Sequence, residues 1–397
     1  MCRQRNPIAT VVWLGIFSLT AVIAPGPAST ELYEQSESAA QSKNSPRTDS
    51  TKKSKNAKTA GQSAKNAKSK AGGAKTSAEL HIDRRGFIDS AGRPVRLQGV
   101  NIPSLEWRND GDHIIESTRV AFEDWKANVV RIPVCQDRWF GKTPNQDEDP
   151  AERYRSIVDL IVRIANEHAG YVILDLHWSD AGVWGKNIGQ HKMPDEHSLE
   201  FWKDAARRYA NHPAVIFDLY NEPFQVSWDV WKNGGDITET DSKTKETLAY
   251  RAVGLQRLLE TVRETGAKNV VVAGGLDWSY DLRGVASGYA LADPKGRGVI
   301  YATHIYPWKK DWDTMVGSVA AKYPVFVGEV GCEPDPKHED PFKWGPKVLN
   351  YIDAHGWSWT AWCFHTEATP RMLKDWSYTP TEYWGSPVLK KLKDTRN

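Results

Sequence analysis

From about residue 97 onward, short apolar runs and longer amphipathic segments take turns along the chain. The runs at 97–101, 129–133, 171–177, 215–221, 269–273, 298–304, 324–330 and 357–364 are rich in Val, Ile and aromatic residues. Their length and composition predict buried β-strands. Between them, helices are predicted over 113–128, 150–168, 198–210, 242–265, 312–322 and 341–355, with a last one over 387–393. In the second of these, Tyr154, Ile157, Leu160, Ile161 and Ile164 recur at helical intervals. Ser242 reads as the N-cap of the fourth and Gly266 as its stop. Ahead of the first strand, 86–89 and 94–97 predict a β-hairpin through Ser90-Ala91-Gly92-Arg93. Strands alternating with helices predict a parallel sheet with covering helices, and eight of them predict a closed (β/α)8 TIM barrel. A doubly wound open sheet is the alternative, but no Gly-x-Gly-x-x-Gly follows the first strand.

The pattern before residue 80 is different. Arg3 and Arg5 precede an apolar run from Ala9 to Ala24, followed by the small residues around Gly26-Pro27-Ala28. That order predicts a signal peptide over 1–28, with an uncleaved membrane anchor as the alternative. Residues 29–78 hold almost no large apolar side chain and repeat Lys, Ala, Ser and Asn, as in the two KNAK stretches at 55–58 and 65–68. Such a segment cannot bury enough surface to order itself and predicts a disordered linker. The globular body then covers 79–397, and the chain is expected in the periplasm or outside the cell. Cys135, Cys332 and Cys363 remain in the body. A Cys332–Cys363 bridge is conceivable, since both fall near the ends of neighbouring strands.

Charge sharpens the division. Residues 50–78 carry eight lysines and no acid, whereas 79–397 carries 40 basic and 46 acidic residues. A mildly acidic body argues against nucleic acid as substrate. The lysine-rich linker reads first as a spacer, and alternatively as an adhesive segment for an anionic surface. The 18 tryptophans point weakly towards carbohydrate, whose C–H faces stack on indole. The chain is expected to be monomeric.

Candidate chemistry gathers where the strands end. Strand four runs into Asn221-Glu222-Pro223, and proline cannot continue a ladder, so a carboxylate stands at the strand's C-terminal lip. The other ends offer Arg131, His177, His304 with Tyr306, Glu329 and Trp362. A closed barrel brings such ends to one mouth. Two carboxylates from strands four and seven can face each other there, which suits glycoside hydrolysis by an acid and a nucleophile. Arg131 and Tyr306 are candidates to hold one carboxylate ionised. Asn221 is a candidate for a sugar hydroxyl, and Trp362 for the floor of the subsite.

These residues resemble glycoside hydrolase family 5, through VIFDLYNEPF (215–224), VILDLHWSD (172–180), ATHIYPW (302–308) and VFVGEVG (325–331). The resemblance covers about 80–395. It implies Glu222 as acid/base and Glu329 as nucleophile. It also implies Arg131, His177, Asn221, His304, Tyr306 and Trp362 as the lining of the cleavage subsite. It implies a retaining enzyme without cofactor or metal, acting on a plant-type polysaccharide and most similar to bacterial endo-β-1,4-glucanases. Mannan, xyloglucan and other β-glucans are the alternative substrates. Trp107, Trp139, Trp178, Trp184, Trp228, Trp278 and Trp308 follow strands and can serve either the cleft or the core. Two rival readings remain. A metal-dependent barrel hydrolase would need closely spaced ligands such as His-x-His, which the sequence lacks. A non-catalytic sugar-binding barrel would not need both glutamates.

Overall fold

A computed structural model describes residues 76–144, 146, 151–240 and 244–394. The expected signal peptide, nearly all of the expected linker, and Ser242 lie outside the described residues. Eight parallel strands close into a barrel in chain order: Gln98–Asn101, Val129–Cys135, Tyr171–Trp178, Val215–Asp218, Val271–Gly274, Val299–Ile305, Val325–Val330 and Ser358–Ala361. The major covering helices are Ile114–Glu123, Ala151–Glu167, His197–Arg208, Leu255–Glu264, Pro341–Ala354 and Gly385–Asp394. The helical face of Ala151–Glu167 buries Tyr154, Val158, Ile161 and Ile164, as its spacing requires.

The barrel interior is layered. Val129, Tyr171, Ile173, Ile216, Val272, Ile300 and Phe326 form one apolar cluster low in the barrel. Leu80 and Phe87 of an N-terminal hairpin belong to the same cluster and plug its floor. Side chains alternate along a strand, so the next inward positions above Val129, Ile173 and Ile216 are Arg131, Asp175 and Asp218. All three are fully buried or nearly so. The inner rows thus change from apolar to ionic as they approach the mouth.

Strand seven breaks this alternation. Its pairing shifts register between Val327 and Val330, and strand six shifts between Thr303 and His304. Strict alternation from Phe326 would turn Glu329 away from the interior. The irregularity instead registers Glu329 beside His304, a typical use of a bulge to re-aim a side chain. Gly328 lies within the irregularity, and a Cβ there would stand 2.8 Å from His304 Nε2. The glycine lets the two strands approach.

Four sequence expectations change. The hairpin strand Gly86–Asp89 pairs along its whole length with Leu80–Asp83, and towards 94–97 it keeps only a short antiparallel contact, with the Asp89 N–H donating to the Arg93 carbonyl and the Val95 N–H to the Phe87 carbonyl. Pro94 has no N–H to give and makes only an isolated bridge to Ile88. The single helix over 242–265 is replaced by an antiparallel hairpin, Gly235–Thr240 with Thr247–Ala252, and the shorter helix Leu255–Glu264. Leu248, Tyr250 and Ala252 turn inward at period two, which is strand spacing. The helix over 312–322 is a wide π-type turn, Asp313–Gly317, with a single turn Ser318–Ala320 after it. Strands seven and eight are neighbours, yet Cys135, Cys332 and Cys363 are all free buried thiols. Cys363 Sγ turns to the Ala368 carbonyl and Cys332 Sγ to that of Pro341.

Candidate active site

Arg131 is the centre of the mouth. It is fully buried and donates to Asp218 Oδ2 at 2.9 Å, Asn101 Oδ1 at 3.1 Å, Glu329 Oε1 at 2.8 Å and Asn221 Oδ1 at 2.9 Å. Its Nη2 also lies 3.1 Å from Asp175 Oδ1. One cation therefore faces three carboxyl groups away from water. Burial pushes Asp175 and Asp218 up to about 7, with Arg131 opposing it. Asn101, Asp175 and Asp218 are missing from the candidates that the sequence offers: Asp175 and Asp218 lie below the predicted strand ends His177 and Asn221, while Asn101, although it ends the first strand, sits in no motif. Inward alternation back from His177 would have found Asp175, and residue type gave no warning of Asn101.

Glu222 and Glu329 lie on either side of His304. His304 Nδ1 is 2.7 Å from Glu222 Oε1 and 3.6 Å from Glu329 Oε2. One oxygen of each carboxyl and a ring nitrogen of His304 all fall within 4.8 Å of one another. Tyr306 donates to Glu329 Oε2 at 2.5 Å. The two carboxyls therefore sit in unlike surroundings. Burial, then the charge of Glu329, drives Glu222 well above the ordinary range. Burial also raises Glu329, but Arg131 and the Tyr306 hydroxyl hold it down. His304 is kept neutral by burial and by the charge of Arg131. The proton shared by such a pair resides on Glu222.

His177 is fixed as one tautomer. Its Nδ1 is 2.6 Å from Asp175 Oδ2 and so carries the hydrogen. Its Nε2 accepts from Asn221 Nδ2 at 3.3 Å. Burial lowers its pKa to about 3, so the ring stays neutral. Trp362 stacks on it at 5.5 Å and 10° between planes. The indole N–H of Trp362 donates to the Thr369 carbonyl at 2.9 Å. Arg131, His177, Asn221, Glu222, His304, Tyr306, Glu329 and Trp362 thus form one connected constellation.

The other tryptophans divide. Trp139 is core, edge-on to Phe201. Trp278 is buried against Phe224, with Lys309 over its ring. Trp228 leans on Trp231, and Trp184 stacks on His197. Trp107 is partly exposed and tilts against the buried Trp178. Trp308 is partly exposed and stacks on Tyr306 at 4.9 Å. Trp107, Trp308 and Trp362 are therefore the indoles of this set that offer surface near the constellation. Lys309, another residue the sequence reading passed over, is buried and tied to Asp277 at 2.8 Å. Among the described residues two groups have metal-ligand spacing, Glu222-His304-Glu329 and Asp180-Asp195-His197. In the first, His304 Nδ1 is already engaged by Glu222.

Fold and site together define a (β/α)8 barrel with an opposed acid pair on strands four and seven. The chain belongs to the cellulase family, glycosyl hydrolase family 5, whose model matches residues 88–368. It is 22% identical over 323 residues to endoglucanase MaCel5A of Microbulbifer sp., covering 79% of this chain and 56% of that protein. It is 25% identical over 320 residues to cellulase CelDZ1 of Thermoanaerobacterium sp., covering 76% of this chain and 74% of that protein. The chain thus spans little more than half the length of the Microbulbifer relative. Among solved structures, β-glucanase SdGluc5_26A of Saccharophagus degradans superposes with a TM-score of 0.63 at 22% identity, over 81% of this chain and 95% of that one. The catalytic domain of Thermobifida fusca endoglucanase Cel5A gives 0.58 at 18% identity, over 79% and 97%. These likenesses are to the fold.

Proposed function

We propose that the protein is a retaining glycoside hydrolase that cuts internal β-1,4 linkages of a plant-type polysaccharide, as an endo-β-1,4-glucanase. The observation that carries this is the unequal acid pair, with oxygens within 4.8 Å and the cationic and phenolic donors all on one member. Retention needs carboxyls about 5–5.5 Å apart, too close for a water to fit between base and sugar. Glu329, ionised, attacks the anomeric carbon. As that bond forms, the glycosidic C–O bond breaks and Glu222 gives its proton to the leaving oxygen. Glu222, now a carboxylate, takes a proton from water, which attacks the glycosyl ester and frees Glu329. His304 has a defined part in this. Its Nδ1, 2.7 Å from Glu222 Oε1, shares a hydrogen bond with that carboxyl and holds it in place. Asn221 binds the 2-hydroxyl of the sugar, and Trp362 floors the subsite. Trp107 and Trp308 extend the contact to neighbouring sugars.

The glucan preference is supported by the endoglucanase relatives and by the cellotetraose complex of the Saccharophagus β-glucanase. Among the described residues no helix is long and apolar enough to cross a membrane. Residues 1–28 act as an export signal and 29–78 as a spacer ahead of the catalytic body, so the enzyme works in the periplasm or outside the cell. Soluble β-glucan, mannan, xylan and xyloglucan, with products sized, test the substrate. Short oligosaccharides from mixed or β-1,4-glucan are expected. Glu329→Gln should abolish them, and unchanged hydrolysis would refute the mechanism.

A further inference from the structure

Asn221 is held more completely than a sugar-binding amide needs to be. Its Oδ1 accepts from Arg131 at 2.9 Å, and a guanidinium can only donate, so the amide cannot be turned over. Both hydrogens of Nδ2 must then point to its two remaining neighbours. One is His177 Nε2 at 3.3 Å. The other is the side-chain oxygen of Gln190 at 2.9 Å. Gln190 lies in the loop after strand three. Its own amide donates to the Glu222 carbonyl at 3.0 Å and to the His191 carbonyl at 2.8 Å. It therefore bonds to both Asn221 and Glu222, the adjacent residues of the acid/base turn.

The loop that carries Gln190 is itself clamped by the hairpin Gly235–Thr240 with Thr247–Ala252. His191 is 4% exposed, and its Nδ1 meets Glu239 while its Nε2 is 2.5 Å from the Asn187 carbonyl. Both partners only accept, so the ring carries both protons and is cationic. Burial works against that charge, but Glu239 and the carbonyl outweigh it and raise the ring's pKa. Glu239 also accepts from the backbone N–H of Lys192 at 3.0 Å, and the Tyr250 hydroxyl donates to the Met193 carbonyl at 3.1 Å. The hairpin thus grips three consecutive residues beside Gln190.

We propose that Gln190 is a positioning residue for the reaction, and that the hairpin braces it through the His191–Glu239 ion pair. Gln190 keeps one N–H of Asn221 in place, so that the other, in the longer and weaker contact to His177, is the one that turns to the 2-hydroxyl of the sugar. This rests on the role given to Asn221 above. Without Gln190 the amide keeps Arg131 and only the long contact to His177, so once that N–H turns to the sugar nothing else fixes its twist. The cost then falls on the contact that strengthens in the transition state.

The test compares an aryl β-cellobioside with its 2-deoxy counterpart, in the wild-type chain, Gln190→Ala and Glu239→Gln. For Gln190→Ala, kcat on the 2-hydroxy substrate should fall about tenfold, the worth of one well-made hydrogen bond, with KM little changed. The 2-deoxy substrate should be nearly unaffected, so the preference for the 2-hydroxyl collapses. Glu239→Gln should show the same loss of preference to a smaller degree. Equal falls on both substrates in Gln190→Ala, or an unaltered preference, would overturn the proposal. If Gln190→Ala does not fold, Gln190→Met, which keeps the side-chain volume without its polar atoms, takes its place with the same two outcomes. Lack of activity in the wild-type chain on both substrates would refute the proposed function instead, so the two failures are distinct.

Discussion

The bond from Tyr306 to Glu329 offers the sharpest test of the acid pair. At 2.5 Å between a buried hydroxyl and a buried carboxyl it is a short charge-assisted contact. Burial and nearby carboxyls keep the phenol far above its ordinary pKa, so it remains a donor at any working pH. Tyr306→Phe deletes the hydroxyl and keeps the ring that stacks on Trp308. Hydrogen bonds to charged groups contribute about 1.5–3 kcal/mol. At about 1.4 kcal/mol per pKa unit, Glu329 should titrate about one to two units higher. The sign follows because the bond favours the ionised form. Arg131 still touches Oε1, so the carboxylate keeps its cation and the enzyme keeps a plateau of activity. The assay is kcat/KM against pH on an aryl β-cellobioside whose leaving group needs no proton, which removes Glu222 from the glycosylation step. The acid limb should move to higher pH. An unmoved acid limb would refute the view that Tyr306 helps hold Glu329 ionised.

Two further outcomes are expected. Glu222→Ala should lower hydrolysis of unactivated glucan by about 10²–10⁴-fold, while activated aryl glycosides still form the covalent ester. Azide, fitting where the carboxyl was, should then restore their turnover and yield a glycosyl azide, and absence of that product would overturn the acid/base role. The His191–Glu239 pair should show in stability against pH. The raised pKa of His191 gives a contribution complete below its ordinary 6.5 and lost as pH rises through the higher folded value. The lowered pKa of Glu239 gives one complete above its ordinary 4.5 and lost as pH falls through the lower folded value. The Tm gap between wild type and Glu239→Gln should therefore be widest between these two ordinary values and narrow on both sides. A gap that grows steadily with pH would contradict the pairing.

Much of this protein was legible before any coordinates. Seven barrel strands announce themselves as apolar runs, and the first as the short stretch before Asn101, because a strand buried on both faces needs apolar residues at every step. Asn221-Glu222-Pro223 marks the end of strand four, because proline ends a ladder. The period-two spacing of Leu248, Tyr250 and Ala252 is present in the sequence, but it is short and runs directly into the helical spacing of Leu255, Leu258, Leu259 and Val262, so the segment reads as one helix over 242–265. The partner strand of Thr247–Ala252 matters, since the resulting hairpin reaches the site through Glu239.

By itself, the sequence determined the barrel, its order, and the eight side chains that gather at its mouth, although Arg131 sits third of seven residues within its strand and not at the end. Those are local properties of composition and period. Only the tertiary structure decided which way Glu329 points, since a register shift beside Gly328 overrides the alternation of its strand. Only it brought Asp175, Asp218 and Asn101 onto Arg131, and Gln190 onto Asn221, across separations from 30 to 87 residues. Burial raised both carboxyls, and Arg131 and Tyr306, bonded to Glu329 and not to Glu222, then made the two unlike. A carboxyl's chemistry depends on the solvent removed from it and the charges left beside it, and neither is written in its neighbours along the chain.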